Sequence, residues 1–346
     1  MAEPRPSQEQ RLVNLALQGG GAHGAFTWGV LDRLLEDGRI AIEAISGTSA
    51  GAINAAVLAQ GYLKGGAAAA RAELDRFWHR LSELGWLSPV HRGLYERAMG
   101  SWNIDASPAS VFVDQLSRVV SPYQFNPLNL SPLRDLLAGM LDVEALAAPD
   151  AIKLFITATN VRTGKARIFE RHEVTLDALL ASACLPQVFQ AVVIEGEPYW
   201  DGGYMGNPSL WPLIYGCGSR DVIIVEINPL TRPGVPRTAS EITNRLNEIT
   251  FNASLMREIR AIAFVERLVD ADDQHPEMRR LKKMLIHMIE AEEAMERLGV
   301  ASKMNTDLDF LLYLKGLGQR TAGRWLEKNF AALNHYSSLD IRKVFL

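Results

Sequence analysis

The sequence predicts an α/β protein built around a mainly parallel sheet. Three observations carry this. Short apolar runs alternate with amphipathic helical ones between residues 12 and 82, and glycine-rich turns stand where strand passes to helix. Apolar runs of strand length then return at 152–158 and 221–227.

Each element follows from its residues. LVNLAL, 12–17, is a short buried strand. Phe26, Val30, Leu31, Leu34 and Leu35 share one face of the helix after it. IEAIS, 42–46, is a second strand, AGAINAAVLAQ, 50–60, an alanine-rich helix, and 67–82 a further helix. Residues 85–140 break the alternation. They are rich in Pro, Ser and aromatic residues, among them Trp86, Tyr95, Trp102, Tyr123 and Phe125, together with Met99. Two readings stand side by side here: an irregular insertion packed on the sheet, and a lid or apolar entrance to a site.

IKLFITA, 152–158, is a strand, and KARIFE, 165–170, pairs with it through the turn 160–164. A helix covers about 174–184, a hairpin turns at Glu195-Gly196 within 191–200, and DVIIVEI, 221–227, is a buried strand. The three prolines of NPLTRPGVPRT, 228–238, mark a surface linker. An amphipathic helix over 240–270 follows, carrying Leu246, Ile249, Leu255, Ile259, Ile262 and Leu268. KMLIHMIE, 283–290, fits either helix or strand, and two helices are expected over 307–317 and 320–333. The organisation is therefore a flexible tail over 1–10, a catalytic-type domain over 11–230 with the insertion 85–140, and a mostly helical C-terminal extension over 231–346 packed on the core.

Composition narrows the function classes. Hydrophobic content of 48% in 346 residues allows a sizeable core. A net charge of −4 lacks the basic excess of a nucleic-acid binder. Two cysteines, Cys184 and Cys217, exclude a disulfide scaffold and a four-thiolate zinc site and suit a reducing compartment. MAEPRPSQEQR has no basic start followed by an apolar core, so no secretory leader is expected. The uncharged stretches 12–31 and 44–63 have the length of a membrane span, but glycines and polar residues fit them to buried strand–turn–helix units instead. The basic run RRLKK, 279–283, reads as a solvated helix face. The expected location is cytoplasmic, any membrane contact being peripheral at the inner surface.

The chemistry-bearing residues begin with Gly19, Gly21 and Gly24. They spell G-x-G-x-x-G between a strand and a helix, the dinucleotide-binding pattern. That site also needs an acid ending the second strand. Glu43 is near the place, but the strand runs instead into ISGTSAGAINAA. Gly47-Thr48-Ser49-Ala50-Gly51 is G-x-S-x-G between strand and helix, a nucleophile elbow. The elbow lifts the Ser49 hydroxyl at the sheet's carboxyl edge, and the helix start beneath favours negative charge there. An acyl-transfer serine needs N–H donors for its oxyanion. The amides of Gly19, Gly20 and Gly21, with that of Ala50 after the nucleophile, are the candidates. Asp201, followed by Gly202 and Gly203, is the candidate base. Alone, Asp-Gly signals a type I′ hairpin turn; beside both glycine loops the catalytic reading is preferred.

Four blocks in this order, QGGGAHG (18–24), GTSAG (47–51), ASACLPQVF (181–189) and DGG (201–203), resemble the patatin-like phospholipases. The resemblance covers residues 12–227. It implies a three-layer α/β/α fold with a mainly parallel central sheet, the tail beyond 235 resembling an extension of bacterial members. It implies a serine acyl hydrolase of lipid esters using a Ser49–Asp201 dyad through an acyl-enzyme, with Gly20 and Gly21 lining the oxyanion hole. Gly47, Gly51, Gly202, Gly203 and Pro186 would support the site, and no metal or organic cofactor is implied. The partner implied is a lipid ester. His23, Trp86, Trp102 and Phe125 are candidate substrate contacts.

The sequence departs from the family pattern at two positions. The family usually has Asp at 18 and Arg or Lys at 23, and here stand Gln18 and His23. A fixed cation beside the oxyanion loop is therefore missing unless His23 is protonated; otherwise His23 is a plain polar residue at a helix start. His172 and His287 would be triad members only if the family reading failed. Two other functions are weighed: a non-catalytic lipid-binding or regulatory protein on the same scaffold, and a nicotinamide oxidoreductase, which leaves GTSAG and DGG unused.

Overall fold

The computed structural model describes residues 10–87, 102–105, 107–117, 119–271 and 281–346. An eight-stranded sheet runs through the middle. Its strands are β1 (Arg11–Leu17), β2 (Ile40–Thr48), β3 (Lys153–Asn160), β4 (Ala166–Glu170), β5 (Val192–Ile194), β6 (Glu197–Asp201), β7 (Asp221–Val225) and β8 (Leu285–Ile289). The order is β5-β6-β3-β2-β1-β7-β8, with β4 paired to β3. Pairings from β3 through β2, β1 and β7 to β8 are parallel, and those of β4, β5 and β6 antiparallel.

Alternation along the central strands makes three layers. Val13, Leu15 and Leu17 of β1, with Ile223 and Val225 of β7, face one core with α1 (Gly24–Asp37), α2 (Ala50–Glu83), α3 (Leu176–Ser182) and α5 (Leu308–Asn329). Ala16, Val222 and Ile224 face the other, with the helix Trp211–Gly216, α4 (Ala239–Ala271) and the helix Ile341–Phe345. The sheet is thus the mixed, mostly parallel one that the sequence predicts, with helices on both faces.

Several elements differ from expectation. The helices expected at 50–60 and 67–82 form one run, α2, kinked at Gly65 and Gly66. The two expected at 307–317 and 320–333 are the single helix α5, because Gly318, between them, serves contact rather than termination. A Cβ on Gly318 would meet the Phe26 carbonyl oxygen at 2.1 Å, and one on Gly29 of α1 would meet that of Lys315 at 1.9 Å. The two helices therefore cross backbone to backbone. Residues 283–290, open between helix and strand, supply β8, buried in parallel pairing with β7.

In the insertion, the described residues form short helices at Pro108–Ser117, Pro122–Phe125 and Pro132–Ala138. The Trp86 side chain, Tyr95, Met99 and Arg279-Arg280 of the basic run lie outside the described residues, as do residues 1–9 of the tail. Among the described residues no helix is long and apolar enough to cross a membrane.

Candidate active site

The sheet order brings the two glycine-flanked turns together. Ser49 follows the end of β2, where Thr48 pairs with Thr157 of β3, and the next β3 residue, Ala158, pairs with Asp201 at the end of β6. The approach is close: a Cβ on Gly202 would lie 2.1 Å from the Thr157 carbonyl oxygen and 3.0 Å from the Thr48 methyl. Asp201-Gly202 is therefore no hairpin turn. It opens a one-turn helix, Gly202–Tyr204, and Asp201 Oδ1 accepts from the Gly203 amide at 2.7 Å.

Ser49 sits at φ 54°, ψ −123°, a conformation costly for any residue with a Cβ. Two contacts hold it there. Its amide donates to Ser182 Oγ at 2.9 Å, and a Cβ on Gly51 would meet the Leu17 carbonyl oxygen at 2.2 Å, so only glycine lets α2 start against the end of β1. The 181–189 block ties the two turns together: Ser182 holds the elbow, and the Cys184 carbonyl accepts the Asp201 amide at 2.8 Å. Pro186 is half-buried in the turn that follows.

Asp201 is fully buried. Burial raises its carboxyl to about 6, against the Gly203 amide, the Ser49 hydroxyl facing it and the Lys303 ammonium, which all pull the other way. Its Oδ2 makes no regular hydrogen bond among the described residues. Ser49 is 7% exposed. The result is a hydroxyl beside a carboxyl that still ionises below neutral pH.

The glycine loop lies directly against the serine, since a Cβ on Gly19 would fall 2.6 Å from Ser49 Cβ. Its amides are not equivalent. That of Gly19 is taken by Asn207 Oδ1 at 2.6 Å, which removes it from the expected donors. No hydrogen bond among the described residues engages the amides of Gly20 or Gly21. Ala50 opens α2, where the first amides have no partner within the helix.

Gln18 replaces an acid with a neutral hub. Its Oε1 accepts from the Ile227 and Asn228 amides and from Asn228 Nδ2, at 2.8, 2.9 and 3.2 Å. Its Nε2 donates to Asn252 Oδ1 at 3.0 Å and to the Asn207 carbonyl at 3.3 Å. Four side-chain amides, from positions 18, 207, 228 and 252, thus pin the loop. Of these the sequence singles out only Gln18, as a departure from the family pattern. A lone Asn carries no signal, and these are far apart along the chain.

His23 is turned to a protein partner. It is buried, its Nε2 lies 2.7 Å from Ser302 Oγ, and that hydroxyl is itself given to the Gly299 carbonyl. Burial, then the nearby Lys303 ammonium, hold its pKa well below the usual range, so it is neutral. Trp102 likewise packs on the rings of Phe310 and Tyr313, 5.2 and 5.3 Å between centroids. Phe125 is half-exposed. Glu43 accepts from the Gly218 and Ser219 amides and pairs with Lys153, which leaves no ribose-binding acid at the loop. His287 does form a Ser–His–Asp chain, with Ser338 Oγ at 2.9 Å and Asp221 Oδ1 at 3.0 Å, at the opposite sheet edge. It fastens the chain's end to β7 and β8. The amide following Ser338 is already given to the Ile286 carbonyl, so no oxyanion donor stands there. No group of three or more metal-ligating side chains occurs among the described residues.

A model of the family described as patatin-like phospholipase matches residues 15–214, more than half of the chain. The chain belongs to that family. At family level this places it among lipid-ester hydrolases. No curated protein gives a significant match. Among solved structures, VipD from Legionella pneumophila is 17% identical over 91% of this chain and 72% of its own, with a TM-score of 0.37. A chain of the ExoU–SpcU complex of Pseudomonas aeruginosa is 18% identical over 94% of this chain and 53% of its own, with a TM-score of 0.36. This patatin-like chain therefore spans about half the length of that second neighbour, and scores so low give neither likeness a bearing on function.

Proposed function

We propose that the protein is a serine acyl hydrolase of lipid esters working by a Ser49–Asp201 dyad. The observation that carries the reading is the Ser49 hydroxyl, held on a strained elbow, facing a buried Asp201 whose Oδ2 has no other partner. Ser49 Oγ attacks the ester carbonyl carbon as its proton passes to Asp201. The carbonyl oxygen becomes an oxyanion facing the free amides of Gly20, Gly21 and Ala50. Collapse expels the alcohol, which takes the proton back from Asp201 and leaves an acyl group on Ser49. Water then gives a proton to Asp201, attacks the acyl carbon and frees the fatty acid, and Ser49 recovers its proton. No histidine is required, because burial lifts Asp201 from a feeble base to one matched to near-neutral pH.

The uncharged run 119–133 supports a peripheral contact with a lipid phase. Val119, Tyr123, Leu128 and Leu130 are all more than half exposed there. The test is hydrolysis of a chromogenic fatty ester, together with labelling by a fluorophosphonate probe. Wild type is expected to turn over ester and to be labelled at Ser49, with both lost in Ser49→Ala and turnover lost in Asp201→Asn. Undiminished turnover in both variants overturns the reading. Lipid binding without labelling or turnover returns the chain to the class of non-catalytic lipid binders.

A further inference from the structure

Lys303 belongs to the region beyond the family match, yet it is built into the glycine loop. A Cβ on Gly21 would lie 2.3 Å from its carbonyl oxygen, and His23 bonds the preceding residue, Ser302. Its ammonium turns inward and donates to Asn228 Oδ1 and Asn247 Oδ1, both at 2.7 Å. It also stands 5.4 Å from the centre of the Phe251 ring. That ring in turn fills the space beside Gly203, where a Cβ would meet it at 2.3 Å, so one aromatic ring separates the cation from the Asp201 turn.

The acceptors are unusual. Both are neutral amides, and no carboxylate bonds this ammonium among the described residues. Glu248, the acid that acts most strongly on it, is already bidentate to Arg232 and paired with Arg245. Lys303 is half-buried, and a partly desolvated cation without a bonded counter-ion contributes little to stability, so its position beside the site points to a use for its field. Asn228 shows where the field goes. While its Oδ1 accepts from Lys303, its Nδ2 donates to the Gly19 carbonyl at 2.9 Å. That carbonyl and the Gly20 N–H are two ends of one peptide unit, and a hydrogen bond to one end strengthens the other as a donor.

We propose that Lys303 is a positioning residue that charges the oxyanion loop: through the Asn228 amide it polarises the Gly19–Gly20 peptide, so that the Gly20 N–H binds the oxyanion more strongly. The inference rests on the hydrolase reading above and assigns the field that loop needs to the C-terminal region. It explains how the loop dispenses with a cation at position 23. The charge arrives from behind, and His23 is left neutral against Ser302.

The test compares wild type, Lys303→Gln and Lys303→Arg on a soluble short-chain nitrophenyl ester across pH. Gln removes the charge while still offering an N–H toward Asn228, from a side chain one bond shorter. Lys303→Gln is expected to lower kcat about 10- to 100-fold with KM within about twofold, as for loss of part of an oxyanion-hole interaction. Lys303→Arg should recover part of kcat. The charged groups facing Lys303 are Glu248, Asp201 and Arg232, with neutral His23 alongside, and burial brings the ammonium down to about 8. Wild-type kcat should therefore fall on an alkaline limb near that value, absent in Lys303→Gln, and the acid limb of the variant should move up as Asp201 loses a neighbouring cation. The acid limb moves with any loss of this charge, so the deciding readout is the alkaline limb, which a merely structural lysine does not produce.

Should Lys303→Gln not fold, Asn228→Ser leaves the cation but is too short to join it to Gly19, and the same loss of kcat is expected. Unchanged kcat in either folded variant overturns the inference while leaving the hydrolase reading in place, provided Ser49→Ala is inactive. A wild type without Ser49-dependent turnover overturns both.

Discussion

Asp201→Asn should abolish turnover and at the same time stabilise the protein, but only above the acid range. The carboxyl is raised from 3.8 to about 6, chiefly by burial. A group whose pKa is higher in the folded state binds its proton more tightly there, so its ionisation opposes folding. The penalty is absent below the unfolded value, grows as pH rises through the window between the two, and is complete above about 6. At about 1.4 kcal/mol per pKa unit it reaches about 3 kcal/mol at pH 8 and about 1 kcal/mol at pH 4.5.

Asparagine never ionises, keeps Oδ1 for the Gly203 amide, and places an NH2 where Oδ2 stands without a partner. Burying that NH2 offsets about 1 kcal/mol, which leaves a net gain of about 2 kcal/mol at pH 8. For a chain of 346 residues this is about 2–4 °C in Tm. Calorimetry of both proteins between about pH 4.5 and 8.5 measures it. A gain that does not shrink toward acid pH, or a loss of stability at pH 8, refutes the claim that a buried, destabilising charge sits at position 201.

Three further outcomes follow from the same geometry. The wild-type profile of kcat/KM should rise with pH through about 6 as Asp201 loses its proton, measured on a soluble ester. Ser49→Gly should raise stability by about 1 kcal/mol in denaturant unfolding while removing activity, since glycine relieves the positive φ at that position. Gly51→Ala should cost about 3 kcal/mol or more, or fail to fold, because its Cβ would sit 2.2 Å from the Leu17 carbonyl oxygen. Soluble yield and thermal unfolding measure this last effect, and a cost under about 1 kcal/mol would contradict the close packing of α2 on β1.

The parts of the site legible in the sequence are those encoded in contiguous residues. G-x-S-x-G between a strand and a helix specifies an elbow, because Gly47 answers crowding within five residues, where its Cβ would meet the Gly51 carbonyl oxygen at 2.7 Å, although Gly51 answers the end of β1. The buried strands announce themselves by apolar runs, and DGG marks a tight turn. Continuity of helices was harder to read. The two helices expected over 307–317 and 320–333 are one, and Gly318 between them answers α1, nearly three hundred residues earlier, pressing its backbone against α5.

What only the tertiary structure decided is which polar groups serve those turns. Gly19 loses its amide to Asn207, Gln18 becomes the centre of an amide network, and His23 is neutral because Ser302 and Lys303 close over it. The sheet order β6-β3-β2 sets Asp201 beside Ser49 although 152 residues separate them along the chain. The physical reason is one of range. Backbone strain and hydrophobic periodicity act between near neighbours in the chain and leave a pattern there. Burial, and the hydrogen bonds and charge it makes necessary, depend on what folds over a residue from elsewhere, so they leave none.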